Sequence, residues 1–179
     1  KCKELLLKNG KIKILDLCTG SGAIAVSLSI FLGDEAEVFA SDISTKALEV
    51  AKYNNGKNNT NVRFIESNLF KNIQEQKFNI IVSNPPYIRS DVINKLSKQV
   101  QNEPHLALDG GEDGLKFYKK IIEQSCNYIE NGYLILEIGY DQKEDVENLL
   151  KENKNYSEIK TIQDLSGNDR CVIAKVGKI

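Results

Sequence analysis

Apolar residues are distributed along the chain in two alternating patterns. One pattern is a short apolar run that ends at a polar or glycine-containing turn, which predicts a buried strand. The other is a longer segment with apolar residues at helical spacing, which predicts a helix with one buried face. Strands that alternate with helices favour an α/β fold, with a mostly parallel sheet that is covered by helices on both faces.

The patterns predict seven strands and four main helices. The strands are expected at residues 12–17, 37–41, 62–66, 78–83, 133–138, 157–163 and 170–176. The helices are expected at residues 23–32, 45–55, 115–130 and 143–153, and Ser44 is a suitable N-cap for the second of them. Segment 84–114 is assigned to a loop or mixed structure. The last two strands are joined by a short turn, which predicts a hairpin and one antiparallel strand near the edge.

Composition and charge narrow the class of protein. The 179 residues are 41% apolar and 27% charged, as in one globular domain with a full core. Apolar runs are too short to cross a membrane and no secretory segment opens the chain, so a cytoplasmic location is expected. The net charge is −1 without a basic cluster, which disfavours nucleic-acid binding. The chain starts with lysine and lacks methionine, which predicts a natural N-terminus further upstream.

The supply of reactive side chains excludes several mechanisms. The four cysteines lie far apart without C-x-x-C spacing, so we expect structural thiols rather than zinc ligands or disulfides. His105 is the only histidine, which disfavours histidine nucleophiles, bases and metal sites. No G-x-x-x-x-G-K-[ST] motif is present, so a nucleoside triphosphatase is not expected.

A glycine-containing loop follows the first predicted strand. Gly20 and Gly22 permit a tight turn and let a ligand approach the backbone where a helix begins. Asp42 ends the second strand, where a carboxylate can accept hydrogen bonds from ribose hydroxyls. The spacing of Gly20, Gly22 and Ala25 also fits the G-x-G-x-x-A pattern of dinucleotide sites. The loop therefore predicts a nucleoside-containing cofactor, and leaves S-adenosylmethionine (SAM) and NAD as alternatives.

The tetrapeptide Asn84-Pro85-Pro86-Tyr87 follows the fourth strand, at the sheet edge where α/β proteins bind ligands. Its prolines fix the backbone and remove two N–H donors, so the Asn84 oxygen and nearby carbonyls remain as acceptors. These acceptors can hold both hydrogens of a planar –NH₂ group, which can stack on Tyr87. They aim the nitrogen at an electrophilic carbon and stabilise the charge it gains. This arrangement predicts methyl transfer from SAM, with Asn84, Pro85 and Tyr87 as the catalytic residues.

Together, residues 16–22, Asp42 and residues 84–87 resemble the Rossmann-like class I methyltransferases that act on amino nitrogen. More narrowly, residues 12–176 resemble the release-factor glutamine N5-methyltransferases of the HemK/PrmC family. The stretches that carry this narrower resemblance are Glu103-Pro104 with Ala107-Leu108, Gly110 to Leu115, Leu136 to Gly139 with Gln142, and Asp164 with Asp169-Arg170. The tetrapeptide alone is shared with adenine methyltransferases.

The resemblance implies a role for individual residues. The residues that would contact SAM are Cys18, Thr19, Gly20, Ser21, Gly22, Asp42, Asn68, Leu69 and Asn84. Among them, Asp42 would bind the ribose, and Asn68 with Leu69 the adenine. The residues that would bind the glutamine amide in the Gly-Gly-Gln loop of a release factor are Asn84, Pro85, Pro86 and Tyr87. S-adenosylhomocysteine would be the other product, and no metal, membrane or nucleic acid would take part.

Three departures from the family bear on this assignment. The family more often has glycine at position 18 and aspartate at position 68, where this chain has Cys18 and Asn68. The family also carries a helical N-terminal domain that residues 1–179 lack, so we expect these residues to be the catalytic domain alone. Glu103 and Glu137 are interpreted as supports of the site loops, or as groups that help to neutralise the sulfonium, rather than as general bases.

Three other functions stay open. Methylation of adenine N6 in DNA or RNA is chemically analogous, but it is disfavoured by the near-neutral charge and the absence of a target-recognition insert. An NAD-dependent dehydrogenase is disfavoured because no histidine-based hydride site is visible. A non-catalytic module that binds SAM would show binding without turnover.

Overall fold

The computed structural model of the chain describes residues 1–74 and 76–177. Its strands are β1 (Ile12–Leu17), β2 (Ala36–Asp42), β3 (Arg63–Glu66), β4 (Phe78–Ser83), β5 (Ile129–Glu137), β6 (Tyr156–Gln163) and β7 (Asp169–Val176). Its helices are α1 (Cys2–Asn9), α2 (Ala23–Leu32), α3 (Thr45–Lys57), α4 (Ser90–Ile93), α5 (Lys98–Gln101), α6 (His105–Leu108), α7 (Lys116–Ser125) and α8 (Lys143–Glu152).

The seven strands form one sheet in the order β3-β2-β1-β4-β5-β7-β6. All neighbours are parallel except β7, which is antiparallel to both β5 and β6. The predicted seven-stranded, mostly parallel sheet with one reversed strand near the edge is therefore confirmed. Chain connections leave β1 and β4 in opposite directions across the sheet, so the carboxyl ends of these two strands form the switch point where open α/β sheets bind ligands.

Both faces of strand β1 are buried. Ile12 and Ile14 pack with Leu5 of α1 on one side, whereas Leu15 and Leu17 belong to the main core on the other side. The four β1 side chains are each 0% exposed. Burial on both faces explains why this strand appears in the sequence as a continuous apolar run instead of an alternating pattern.

The helices differ from the predicted ones mainly at the ends of the chain and in the long connection. Helix α3 begins as expected, because the Ser44 hydroxyl accepts a hydrogen bond from the Ala47 N–H at 3.2 Å. No element was predicted before residue 12, whereas α1 lies there. Segment 84–114 contains the short helices α4, α5 and α6. No helix within the described residues is long and apolar enough to cross a membrane.

Strand β5 begins at Ile129, although the sequence pattern places its start at residue 133 and extends the preceding helix to residue 130. The discrepancy arises at Gly132, because the dipeptide Asn131-Gly132 is a typical turn signal in a sequence. In the structure the pairing of β5 with β4 is irregular there, and a Cβ on Gly132 would lie 1.9 Å from the Asn79 carbonyl oxygen. Gly132 therefore permits a bulge within one long strand, which corrects the predicted boundary.

Asp16 connects the end of β1 to the helix that follows. Its side chain is 0% exposed, and Oδ2 accepts hydrogen bonds from the Thr19 hydroxyl at 2.5 Å and the Ala25 N–H at 3.0 Å. Burial raises the pKa of Asp16 to about 7, although these two hydrogen bonds lower it, and the charge of Asp42 raises it further. The buried carboxyl thus holds the segment between β1 and α2 in one position relative to the sheet.

We expect Asp16→Asn to remove a pH dependence of the free energy of unfolding. The folded chain keeps the Asp16 proton up to about pH 7, whereas the unfolded chain releases it near the ordinary pKa of 3.8. The folded state therefore binds the extra proton between these values, so this carboxyl should lower stability as pH rises from about 4 to about 7, by up to about 4 kcal/mol. Urea unfolding across this pH range measures the effect, and the amide variant cannot titrate.

The control for this experiment is Asp34→Asn, which removes an exposed carboxylate at the opposite edge of the sheet. We expect it to keep the pH dependence of the wild type. An identical pH dependence in the wild type and Asp16→Asn would contradict the assignment of a protonated, buried Asp16.

Candidate active site

The segment between β1 and α2, residues 18–22, forms the glycine loop. Three of its residues have left-handed backbone angles, with φ of 61° at Cys18, 55° at Gly20 and 80° at Gly22. Glycine adopts this conformation without strain, whereas the side chain of Cys18 costs about 1–2 kcal/mol. Burial, with a smaller effect from the charge of Asp42, raises the pKa of the Cys18 thiol to about 12. The thiol therefore stays protonated at neutral pH.

Helix α3 packs directly against the glycine loop. A Cβ on Gly22 would lie 2.9 Å from the Cβ of Ala51, so only glycine allows the two segments to approach this closely. The Asn54 side-chain amide donates a hydrogen bond to the Ser21 carbonyl oxygen at 2.9 Å. Because α3 follows Asp42, these contacts hold the glycine loop and the end of β2 in a fixed relative position.

Asp42 binds the glycine loop through its carboxylate. Its Oδ2 accepts a hydrogen bond from the Gly20 N–H and its Oδ1 from the Ser44 N–H, both at 2.9 Å. The Thr19 N–H donates to the Ser41 carbonyl oxygen, also at 2.9 Å, which adds a backbone link between the same segments. Asp42 is partly exposed, and each carboxylate oxygen retains a lone pair for a further donor. The structure therefore brings Asp42 and the loop together, as their positions in the sequence predicted.

The turn after β3 lies beside Asp42. The Ser67 N–H donates to the Asp42 carbonyl oxygen at 2.9 Å, and the buried Ser67 hydroxyl donates to the Leu69 carbonyl oxygen at 2.6 Å. Leu69 is buried with φ of 50°, whereas the Asn68 side chain is exposed. The turn thus presents the Asn68 amide to solvent at the same edge of the sheet, on a backbone that Ser67 holds in place.

The tetrapeptide after β4, residues 84–87, forms the acceptor arc. The hydroxyl of the preceding Ser83 is buried and donates to the Leu17 carbonyl oxygen at 2.6 Å, which joins the ends of β4 and β1. Asn84 is exposed and Pro85 is buried. Within the described residues, no hydrogen bond uses the Asn84 side chain or the two proline carbonyls. The arc therefore presents acceptors without partners next to the glycine loop.

The second glycine cluster, residues 110–114, supports the acceptor arc from behind. The Ile88 N–H donates to the Leu108 carbonyl oxygen at 3.0 Å, and the Gly110 N–H donates to the Ile88 carbonyl oxygen at 2.8 Å. A Cβ on Gly110 would lie 2.8 Å from the Cα of Tyr87. The cluster therefore does more than form a turn, since it lets two backbones touch directly behind Tyr87.

Tyr87 lies in a partly buried, charged environment. Burial raises the pKa of the Tyr87 hydroxyl, the charge of Glu137 adds to this effect, and Arg170 opposes it. Burial also raises the pKa of Glu137, and Arg170 again opposes the rise. The structure thus places Glu137 near Tyr87, and the charge of the exposed Glu103 adds a smaller effect on the same hydroxyl, whereas His105 has an exposed side chain. His105 begins helix α6 instead of lying in a loop.

Gln142 is the site residue to which sequence reasoning gave no role. Its side chain is only 8% exposed and donates a hydrogen bond from Nε2 to the Tyr87 carbonyl oxygen at 3.0 Å. Hydropathy patterns do not reveal a buried amide at the start of a polar helix. The signals in the sequence are its place in the family resemblance, beside Leu136 to Gly139, and its position three residues after Gly139.

The glycine loop offers polar groups that suit a polar ligand. Asp16 Oδ1 and the Ser41 hydroxyl are buried beside it and have no hydrogen-bond partner in the part of the chain that the structure describes. A Cβ on Gly20 would contact nothing within 4 Å, so the backbone there faces open space. Together with the lone pairs of Asp42, these groups fit a cofactor that carries hydroxyl and ammonium groups.

Curated proteins with similar sequences are release factor glutamine methyltransferases. A release factor glutamine methyltransferase from Thermodesulfovibrio yellowstonii is 40% identical over 179 residues, which cover 98% of this chain and 63% of that protein. A release factor glutamine methyltransferase from Clostridium acetobutylicum is 44% identical over 180 residues, which cover 97% of this chain and 62% of that protein. The chain thus spans about three fifths of the length of these relatives.

The fold also matches solved structures. The crystal structure of a methyltransferase from Pyrococcus furiosus superimposes with a TM-score of 0.70 at 22% identity, covering 99% of this chain and 82% of that chain. This likeness agrees with the predicted Rossmann-like class I methyltransferase fold. The sequence profile of the methyltransferase small domain family matches residues 3–111, which is more than half of the chain. The chain therefore belongs to the methyltransferase small domain family.

Proposed function

We propose that residues 1–179 are the catalytic domain of an enzyme that methylates the side-chain amide nitrogen (N5) of a glutamine, using SAM. The observation that carries the proposal is the acceptor arc, whose free acceptors lie beside the glycine loop because Ser83 binds the Leu17 carbonyl. The glutamine is that of the Gly-Gly-Gln motif in peptide chain release factors. The relatives that are 40% and 44% identical support this substrate by their names.

The glycine loop, Asp42 and the Asn68-Leu69 turn would hold SAM at the edge of the sheet. The loop backbone would contact the cofactor, Asp42 would accept hydrogen bonds from the ribose hydroxyls, and Asn68 would accept one from the adenine amino group. Asn68 is uncharged where the family more often has aspartate, so this last contact is weaker than a charged one. When bound, SAM supplies a methyl group on a positively charged sulfur, which is electrophilic without a metal.

The acceptor arc would hold the glutamine amide. The Asn84 side-chain oxygen and the Pro85 carbonyl accept the two amide hydrogens, and the Tyr87 ring stacks on the planar group. As the nitrogen took the methyl group and the sulfur–methyl bond broke to release S-adenosylhomocysteine, the nitrogen would become positive, and the same two acceptors would bind more strongly than in the ground state. The proton that the nitrogen must lose is strongly acidic at that point, so it passes to solvent at the exposed Asn84 without a dedicated base.

The proposed substrate also defines the expected surroundings of the enzyme. Release factors work with ribosomes in the cytoplasm, and we place this protein in the same compartment. A polypeptide substrate needs no basic surface, which suits a net charge of −1. We therefore expect no nucleic-acid or membrane partner.

Transfer of labelled methyl groups from SAM tests the proposal. The protein is incubated with a release factor, with the same factor carrying Asn in place of the motif glutamine, and with unmethylated DNA. Label on the glutamine of the intact factor alone, located by mass spectrometry, is the expected result. Label on adenine would replace the proposal with nucleic-acid methylation, and SAM binding without any transfer would indicate a non-catalytic module.

We expect Asn84→Ala to lower kcat by about 100-fold or more, because one of the two acceptors of the amide and of its developing charge is lost. SAM affinity should change less than about threefold, since the cofactor is held mainly by the other loops. Steady-state kinetics and calorimetric SAM titration measure the two effects. Asn102→Ala, at an exposed position in the same long connection, serves as the control and should leave both values unchanged. Full activity of Asn84→Ala would exclude the assigned chemistry.

Asp42→Ala should weaken SAM binding and change kcat little, which is the reverse of the result expected for Asn84→Ala. It removes the acceptor for the ribose and also the partner of the Gly20 N–H, so the dissociation constant of SAM should rise by about 10-fold to 100-fold. At saturating SAM, kcat should stay within about fivefold of the wild type. Asp34→Ala removes a carboxylate at the other edge of the sheet and should not change SAM binding. An unaltered dissociation constant in Asp42→Ala would place the ribose elsewhere.

A further inference from the structure

The buried amide of Gln142 binds the acceptor arc with both of its ends engaged. Its Nε2 donates to the Tyr87 carbonyl oxygen at 3.0 Å and lies 3.4 Å from the Gly114 carbonyl oxygen. Its Oε1 accepts a hydrogen bond from the Gly139 N–H at 3.0 Å. Because an amide has one donating and one accepting end, this pattern fixes the orientation of the side chain.

Two glycines make room for this amide. A Cβ on Gly114 would lie 2.6 Å from Gln142 Nε2 and 2.6 Å from the Tyr87 carbonyl oxygen. A Cβ on Gly139 would lie 2.8 Å from Gln142 Oε1. Glycine at positions 114 and 139 therefore leaves space for the Gln142 amide and its hydrogen bonds. Gln142 joins three segments at this point: the acceptor arc, the second glycine cluster and the connection from β5 to α8.

The acceptor arc has few ways to hold its own backbone. Pro85 and Pro86 lack N–H groups, so neither can donate a hydrogen bond to a neighbouring segment. Only Asn84 and Tyr87 keep an N–H in this segment, so the carbonyls are important anchors of its backbone. Gln142 binds the carbonyl of Tyr87. Within the described residues, the carbonyls of Pro85 and Pro86 have no hydrogen-bond partner.

We propose that Gln142 is a positioning residue for the methyl transfer proposed above. By binding the Tyr87 carbonyl, it fixes the peptide plane between Tyr87 and Ile88 at the end of the arc, and so sets the angle at which Asn84 and Pro85 meet the substrate amide. A small rotation of this plane separates the two acceptors from the two amide hydrogens, which lowers the rate of transfer without touching the cofactor. The inference rests on the proposed function, because it assigns Gln142 to the same site.

The test compares Gln142→Glu with Gln142→Met in the full-length protein. An ionised carboxyl at this position keeps an acceptor for the Gly139 N–H but repels the Tyr87 carbonyl, whereas a protonated carboxyl can donate to it. Methionine does neither at any pH. The Tyr118 hydroxyl lies 3.5 Å from Oε1, and Asp141 and Lys143 are chain neighbours. The charged or titratable groups around them also include Tyr87, Glu137 and Arg170, which act on the Tyr118 hydroxyl, and Arg89, which packs against Gly114.

For Gln142→Glu we expect kcat at pH 8 to fall by about 30-fold or more, with the dissociation constant of SAM within about threefold of the wild type. Between pH 8 and pH 6, kcat relative to the wild type should recover by about fivefold or more, because burial favours the protonated carboxyl. Gln142→Met should lose kcat similarly at both pH values. Recovery of kcat in Gln142→Glu at lower pH would show that the substitution acts on the position of the acceptor arc and not only on the stability of the protein.

Tyr156→Phe is the matched control. The Tyr156 hydroxyl is buried and is hydrogen-bonded to Ser125 at 2.7 Å and to the Ile122 carbonyl oxygen at 2.6 Å. It lies at the start of β6, at the sheet edge opposite the acceptor arc. Its loss removes buried hydrogen bonds and should lower the stability of the chain, as we also expect for the Gln142 variants, but it should leave kcat unchanged.

Two results would overturn the inference while the wild type methylates its substrate. One is kcat within threefold of the wild type in both Gln142 variants. The other is an equal loss of kcat in Tyr156→Phe. Hydrogen exchange at the Ile88 N–H provides a readout that needs no substrate. Gln142→Met should accelerate this exchange by about tenfold or more. Unchanged exchange would refute the proposal that Gln142 holds the acceptor arc in place. If the wild type did not methylate the release factor but Gln142→Met still accelerated exchange, the proposed substrate would be refuted. The hold of Gln142 on the acceptor arc would remain supported.

Discussion

Parallel pairing of β1 with β4 places Leu17 beside Ser83, and both loops of the site depend on this register. The glycine loop begins one residue after Leu17, and the acceptor arc begins one residue after Ser83. The Ser83 hydroxyl reinforces the alignment by donating to the Leu17 carbonyl oxygen at 2.6 Å. A slip of one residue would turn the buried side chains of either strand toward the wrong face, so the core of the sheet specifies the alignment that the site needs.

Two carboxyl groups near the glycine loop have different environments and therefore different tasks. Asp16 is fully buried, its pKa is raised to about 7, and it holds Thr19 and the start of α2. Asp42 is partly exposed and binds the Gly20 and Ser44 N–H groups while it keeps lone pairs for a ligand. The inner carboxyl stabilises the loop and the outer one is available to the cofactor. Their mutual repulsion raises the pKa of the inner carboxyl further, since the outer one is the easier to solvate.

The parts of the fold that were predictable from sequence are those where burial imposes a simple pattern. Strands β1 and β4 have the predicted bounds, because continuous apolar runs between polar turns have few alternative interpretations. The start of β5 was misplaced because Gly132 serves a bulge and not a turn. The glycine loop, Asp42 and the acceptor arc are predictable because each directly follows a strand. The contact of Gln142 with the acceptor arc depends on the close approach of Gly114 and Gly139, which the local sequence pattern does not show. Contacts between distant loops are set by tertiary packing alone.

If the acceptor arc binds the substrate as proposed, its neutral acceptors select the substrate by the donors that the substrate carries. A carboxylate in place of Asn84 would bind the ammonium group of a lysine more strongly than a neutral amide, because a charge-assisted hydrogen bond is the stronger one. The neutral oxygens of Asn84 and Pro85 remove that preference, and two acceptors at fixed spacing favour a planar –NH₂ group over a hydroxyl, which has one hydrogen to donate. Such selectivity requires that the spacing does not change. Because the prolines cannot hold the arc through N–H groups, the spacing depends on the carbonyl that Gln142 binds.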